Sequence, residues 1–293
     1  MSADVKMDRG PEEYAAPTTI EEAARLVFDG EARVLAGGTD LMIQTRDGGM
    51  AYRKRLVNIR RISEMRGISK DGQTVRIGAL STLTDILNNE FLVEMAPVLR
   101  QTADQIASGQ IRNAATLGGN ICNASPAGDS IPALLVLDAS VELAFWDGGA
   151  VATRTVALNE FFSGPGQTLK GDNELLTAVT FPLPEQRAKA QFIKSGPRPA
   201  LEISIVSMAF SAVREDDTLF HVRIALGSVA PTPLRAVATE AFLEGKTLSA
   251  DIIEAAKDVL MGEINPIDDV RATAWYRRHL ACVYLGRLLG DDD

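Results

Sequence analysis

Two glycine pairs, each closing an apolar run and each followed by polar side chains, constrain this chain more than anything else in it. The first lies in Val34-Leu35-Ala36-Gly37-Gly38-Thr39-Asp40-Leu41 and the second in Thr116-Leu117-Gly118-Gly119-Asn120. Glycine has no Cβ, so its backbone takes positive φ freely and another group can lie directly against it. Successive N–H groups at such a turn form a concavity suited to an anion. Either pair alone reads as a tight turn. Together, with Thr39, Asp40, Thr116 and Asn120 adding side-chain hydrogen bonds, they read as a two-sided clamp for a dinucleotide pyrophosphate. The single-loop G-x-G-x-x-G fingerprint is absent, which disfavours a nicotinamide cofactor held in the Rossmann manner.

Composition narrows the remaining classes. The chain has 293 residues, room for about two domains, and a net charge of −9. An acidic chain without a basic block is a poor match for nucleic acid, whose phosphates require a positive face. Cys122 and Cys282 stand alone, and His221 and His279 are the only histidines. Such a set holds neither an iron–sulfur cluster nor a structural zinc. Cys122 and His221 read as packing residues. The polar start, MSADVKMDRGPEEY, predicts no signal peptide, and no apolar run reaches the ~18–20 residues of a membrane span. A cytoplasmic protein without membrane insertion is the expectation.

The pattern along the chain predicts an α+β protein. Residues 1–14 read as a frayed arm, followed by a short helix capped by Thr18 or Thr19 and stopped at Gly30. Strands are expected in EARVLAGG, RLVNIRRI and TVRIGAL. A helical period then runs from Ser81 towards Ser108, broken at Pro97. SVELAFW and AVATRTVAL form a hairpin around Asp147-Gly148-Gly149, and ELLTAVTFP is a strand closed by Pro182 and Pro184. That proline pair predicts the domain boundary: 1–182, with subdomains of about 1–60 and 61–182, then 183–293. The second domain is expected to hold two long strands around an Asp216-Asp217 turn. Three helices should follow, near 234–243, 249–261 and 271–289, before an acidic tail, Asp291–Asp293.

LAGGTDL and TLGGNICNASPAGD resemble the two FAD motifs of the medium, flavin-binding subunit of the molybdenum hydroxylases, the xanthine dehydrogenase and carbon monoxide dehydrogenase group. SGPGQTLKGDNELLTAVTFP, LGSVAPTPLRA and VRATAWYRRHLACVYLGRLL extend the resemblance over almost the whole chain, in the right order. The resemblance implies a two-part FAD-binding domain, of the type also seen in vanillyl-alcohol-oxidase-like flavoproteins, followed by a smaller α+β domain with an antiparallel sheet and three helices. It implies that Val34 to Leu41 wrap the pyrophosphate and reach the ribityl chain, with Thr116 to Asn120 completing the grip and Asp129 a further polar contact. It also places Ile106 and Leu176 at the flavin and Lys194 beside the cofactor. Residue by residue, Ile106 reads more readily as a helix-core side chain, and Lys194 reads equally as a surface lysine at a strand end.

The resemblance further implies an oxidoreductase subunit with a small [2Fe–2S] partner and a large molybdenum-cofactor partner, assembled as a dimer of heterotrimers. In that scheme electrons pass from the clusters to FAD and on to an external acceptor, while substrate is oxidised elsewhere. The chain itself shows no acid–base pair around a substrate, and its two isolated cysteines argue against the extra iron–sulfur loop of some relatives. A stand-alone FAD-dependent reductase or oxidase of related fold is the alternative, and a scaffold that has lost its flavin is a third reading.

Overall fold

The computed structural model describes residues 10–47, 50–198 and 202–290. A small parallel sheet comes first. It is built from β1 (Glu13–Ala15), β2 (Ala32–Leu35) and β3 (Arg55–Asn58) in the order β1-β3-β2, with α1 (Ile20–Val27) and α2 (Leu41–Arg46) between strands. Glu13 and Tyr14, expected in a frayed arm, are instead strand residues; residues 1–9 of that arm lie outside the described residues. The pairing with β3 makes the difference, reinforced by an ion pair of 2.7 Å between Arg55 Nε and Glu13. In α1 the Thr19 hydroxyl accepts from the Glu22 N–H, and Ala23, Ala24 and Val27 face the core.

The second sheet is antiparallel. β4 (Ile68–Asp71) and β5 (Thr74–Gly78) lead into the helices α3 (Leu83–Asn88), α4 (Glu90–Met95), α5 (Pro97–Gln105), α6 (Gly109–Arg112), α7 (Leu117–Asn123) and α8 (Ser130–Leu135). The period expected to break once, at Pro97, breaks twice. Asn89 caps a new helix by accepting from the Leu92 N–H at 3.0 Å, and Pro97 then opens α5. β6 (Ser140–Trp146) and β7 (Val151–Ala157) form the expected hairpin, whose Asp147 carboxylate accepts from the Gly149 and Ala150 N–H groups at 2.8 Å each. After α9 (Leu158–Phe161), β8 (Phe162–Gly164) and β9 (Gln167–Thr168), the chain enters β10 (Glu174–Pro182) at the centre of the order β4-β5-β10-β6-β7. Burial on both faces explains its nearly unbroken apolar sequence.

The remaining strands, β11 (Ala188–Ser195), β12 (Val206–Glu215), β13 (Thr218–Gly227) and β14 (Leu234–Arg235), make an antiparallel sheet in that order. Asp216 and Asp217, both at positive φ, form the turn between the two long strands. The helices α10 (Val237–Leu243), α11 (Ala250–Glu263) and α12 (Ala274–Leu289) cover one face, burying Met208, Ile224 and Leu226 against Ala256, Leu260 and Leu285. The opposite face contributes Phe192, Ala209 and Ala225 to the interior of the preceding sheets, where α5 and α8 pack on it. The last helix starts at Ala274, later than the expected Arg271, because the Asp269 carboxylate claims the Arg271 and Ala272 N–H groups for a turn.

Arg277 locks α12 to that sheet. Its guanidinium, almost wholly buried, donates to the Ile205 and Ser228 carbonyls and to Asp269 at 2.8 Å. Burial alone would raise the Asp269 carboxyl, but the two N–H groups and Arg277 outweigh it and hold the pKa at about 2. A depressed carboxylate stabilises the fold above its unfolded pKa and loses that contribution as the pH falls towards 2. Asp269→Asn is therefore expected to lower stability at pH 7 by no more than roughly 2 kcal/mol, solvent screening included. Urea midpoints for the two proteins should converge between about pH 4 and pH 2; a gap independent of pH would contradict the assignment.

Candidate functional site

A cavity of about 390 Å³ opens between the two glycine corners and the start of β10, a size within the usual range for small-molecule sites. On one side β2 ends at Leu35 and the chain turns through Gly38, at φ +75°, into α2, where the Met42 N–H reaches the Gly38 carbonyl at 3.1 Å. On the other, the Thr116 hydroxyl caps α7 by accepting from the Gly119 N–H at 3.1 Å. The Leu117 and Gly118 N–H groups donate to the Ser81 and Ala79 carbonyls at 3.0 and 2.9 Å, docking this corner onto the chain leaving β5.

The glycines have different jobs. A Cβ on Gly37 would overlap the Ala114 carbonyl, so here one corner rests directly on the segment leading into the other. A Cβ on Gly118 would lie 2.7 Å from the Ala79 Cβ, again too close. Gly38 is required by its positive φ. At Gly119, whose φ is not positive, the new atom would meet just one side-chain atom, the Thr116 hydroxyl at 2.8 Å.

The expectation of backbone donors from both sides needs correction. At the second corner the N–H groups of Leu117, Gly118, Gly119 and Asn120 are all taken by the protein. At the first, the N–H groups of Gly38, Thr39, Asp40 and Leu41 make no hydrogen bond among the described residues. The clamp is asymmetric: one side offers backbone donors, and the other offers shape and side chains.

Of the residues expected at the site, Val34, Ala36, Gly37, Gly38, Thr39, Asp40, Leu41, Thr116, Gly118, Gly119, Asn120 and Leu176 share the cavity wall. Leu35 lies outside the wall, and Leu117 is fully buried in the core. Ile106 packs against that core beside Leu117 and Ser130 rather than in the cavity. Asp129 and Lys194 also lie outside the wall and bind each other at 2.7 Å, both nearly buried. Ser204 donates to the second Asp129 oxygen, and Lys194 also donates to the Gln105 carbonyl at 3.1 Å. The neighbouring Ser130 hydroxyl donates to Asn120 Oδ1 at 2.6 Å, so this polar knot reaches the wall indirectly.

Sequence reasoning missed Arg33, Arg53, Cys122, Lys170, Asp172 and Glu174, which also line the cavity. The available signal was charge inside otherwise structured runs: an arginine directly before VLAGG, and Lys170-Gly171-Asp172 leading into β10. Arg53 pairs with Asp172 at 2.8 Å and Arg154 grips both Glu174 oxygens at 2.6 and 2.8 Å, which lowers both carboxyls. Asp40, at the mouth, is raised by desolvation, and burial pushes the Cys122 thiol up.

A family model described as the FAD binding domain in molybdopterin dehydrogenase matches residues 7–184. The chain belongs to the FAD-binding medium subunits of the molybdenum hydroxylases. A second model, the CO dehydrogenase flavoprotein C-terminal domain, matches residues 191–291. The chain is 33% identical to the xanthine dehydrogenase FAD-binding subunit of Escherichia coli O157:H7, over 91% of each chain. It is also 33% identical to the carbon monoxide dehydrogenase medium chain of Hydrogenophaga pseudoflava, over 94% of this chain and 95% of that one. A solved structure of carbon monoxide dehydrogenase from that organism superposes with a TM-score of 0.90 at 31% identity, covering 96% of each chain. Like these medium subunits, the chain is part of an oxidoreductase, with the α+β architecture of a flavin domain and its C-terminal companion.

The cavity fits the family's cofactor on its own terms. It joins unclaimed N–H donors at one corner to an apolar surface at Leu175 and Leu176. It also presents a guanidinium, Arg33, whose Nε is buried with no partner among the described residues. Among those residues no helix is long and apolar enough to cross a membrane.

Proposed function

We propose that this medium subunit carries electrons from the [2Fe–2S] clusters of a small partner subunit to an external acceptor, while substrate is oxidised on a large molybdenum-cofactor subunit. The observation that supports it best is the asymmetric clamp, which joins open backbone donors to apolar side chains, Leu175 and Leu176, within one cavity. Between the corners FAD would be held through its pyrophosphate by Gly38 to Leu41, Thr116 and Asn120, with Leu176 against the ring. Asp129 and Lys194 serve the site from behind, fixing the C-terminal sheet to the segment that supports Asn120. The chemistry gained on binding FAD is the joining of one-electron delivery to two-electron release. The names of the relatives support a multi-subunit setting, which we extend to a dimer of heterotrimers.

Full-length protein is expected to purify yellow and to release FAD on heating. Without partner subunits it should not oxidise aldehydes, purines or carbon monoxide. A colourless protein that takes up no FAD would overturn the flavin seat. Turnover of any of these substrates by partner-free protein would overturn the relay.

A further inference from the structure

Asp40 carries a charge that opposes the use of its own corner. The open N–H groups of Gly38 to Leu41 attract an anion, and the Asp40 carboxylate stands among them in the same cavity wall. No cation answers it. Its only hydrogen bond among the described residues comes from the neutral Gln44 amide, at 2.5 Å. Gln44 Nε2 also donates to Asn123 Oδ1 on α7 at 3.4 Å, so the carboxylate ends a chain of amides that crosses to the second corner's helix. The other charged groups of the wall lie on other elements and none of them bonds to Asp40. Arg33 is on β2, Arg53 pairs with Asp172, Lys170 donates to two carbonyls, and Glu174 is gripped by Arg154. Desolvation raises the Asp40 carboxyl above the usual aspartate range, with no charged neighbour contributing. Hydrogen bonds from Arg53 and Arg154 hold Asp172 and Glu174 low, and burial pushes the Cys122 thiol up. Among the acids described on the wall, Asp40 is therefore the one placed to take a proton.

We propose that binding of FAD is linked to uptake of a proton by Asp40, so that the subunit holds its cofactor more tightly as the pH falls. The proposal rests on the flavin reading above and adds to it a control by pH. Beside an anion held by these N–H groups the Asp40 carboxylate meets a like charge, which raises its proton affinity further. Below its pKa in the empty site Asp40 is neutral before and after binding, and the site is at its tightest. As the pH rises through that value the empty site loses the proton, and binding must restore it or bear the repulsion. Affinity falls until the pH passes the higher pKa of the occupied site, and is level above it. Asp40 is open to solvent at the mouth, so screening limits the change to roughly 3- to 10-fold.

The test is calorimetric titration of full-length protein, stripped of flavin, with FAD from about pH 5 to about pH 8, a range that starts just above the ordinary carboxyl pKa. Each point is measured in two buffers of different ionisation heat, and the difference counts the protons taken up. Wild-type protein is expected to take up a fraction of a proton per FAD, greatest where affinity is falling. Its affinity should be roughly 3- to 10-fold weaker at the alkaline end. Asp40→Asn keeps the shape of the side chain and an oxygen for Gln44. It should take up no proton, and should bind FAD at the alkaline end about as tightly as wild type does at the acid end. Tight FAD binding by wild-type protein with no proton taken up and no pH dependence overturns the linkage and leaves the flavin reading intact. So does an Asp40→Asn protein that keeps the wild-type pH dependence. Weaker binding by Asp40→Asn at every pH would make the carboxylate an acceptor for the cofactor and overturn the linkage too. Wild-type protein that binds no FAD at any pH overturns the flavin reading, and the linkage with it. The proton count on wild-type protein needs no variant to fold.

Discussion

Gly37→Ala is expected to produce protein that neither retains FAD nor keeps its normal stability. The added methyl would overlap the Ala114 carbonyl, a backbone atom with no rotamer to yield, so the two corners must move apart. Overpacking of this kind costs about 1–3 kcal/mol, more where backbone must shift. Gly119→Val is the informative contrast. Its Cβ meets only the Thr116 hydroxyl, so the cost to folding is near that of a lost helix cap, about 1 kcal/mol. The side chain nevertheless grows at the cavity wall and should block the flavin. Urea denaturation together with the ratio of FAD to protein separates the cases: Gly37→Ala loses both, and Gly119→Val mainly the second. Full FAD occupancy in either variant would remove that glycine from the clamp.

The second large effect is expected at Asp129. Replacing it with Asn leaves the Lys194 ammonium buried against two carbonyls and an amide, without its carboxylate. Breaking a buried ion pair from one side typically costs about 3–5 kcal/mol, because the remaining charge is uncompensated. Removing that charge as well, in Asp129→Asn with Lys194→Met, should recover part of the loss. This recovery distinguishes a stranded charge from simple loss of packing. Equal stability of Asp129→Asn and wild-type protein in urea would show that the pair does not hold the C-terminal sheet to the start of α8.

Local chemistry made much of this molecule legible in its sequence. The Asp147 turn, the Asp216-Asp217 turn and the start of α11, where the Ser249 hydroxyl accepts from the Ile252 N–H, each carry their own hydrogen-bonding logic within a few residues, and they stand where that logic puts them. Both glycine corners were visible for the same reason. What stayed hidden depends on distant partners. β1 is three residues long and becomes a strand only through β3. The roles of the corner N–H groups could not be divided without seeing that Ser81 and Ala79 lie beneath the second corner. The burial of Asp129 against Lys194 joins residues far apart in the chain. Arg33 was missed, because lack of a partner is a property of the whole neighbourhood.

The C-terminal sheet is shared between two interiors: one face carries the three helices, and the other supplies Phe192, Ala209 and Ala225 to the core beneath the flavin cavity. The sheet therefore works as a party wall between two rooms. Whatever leans on the outer helices leans, through one layer of strands, on the frame that shapes the cavity. The relay proposed above, which needs a cofactor at a set distance from its neighbours, would be served by such construction. Among the described residues the two rooms share that single wall of strands.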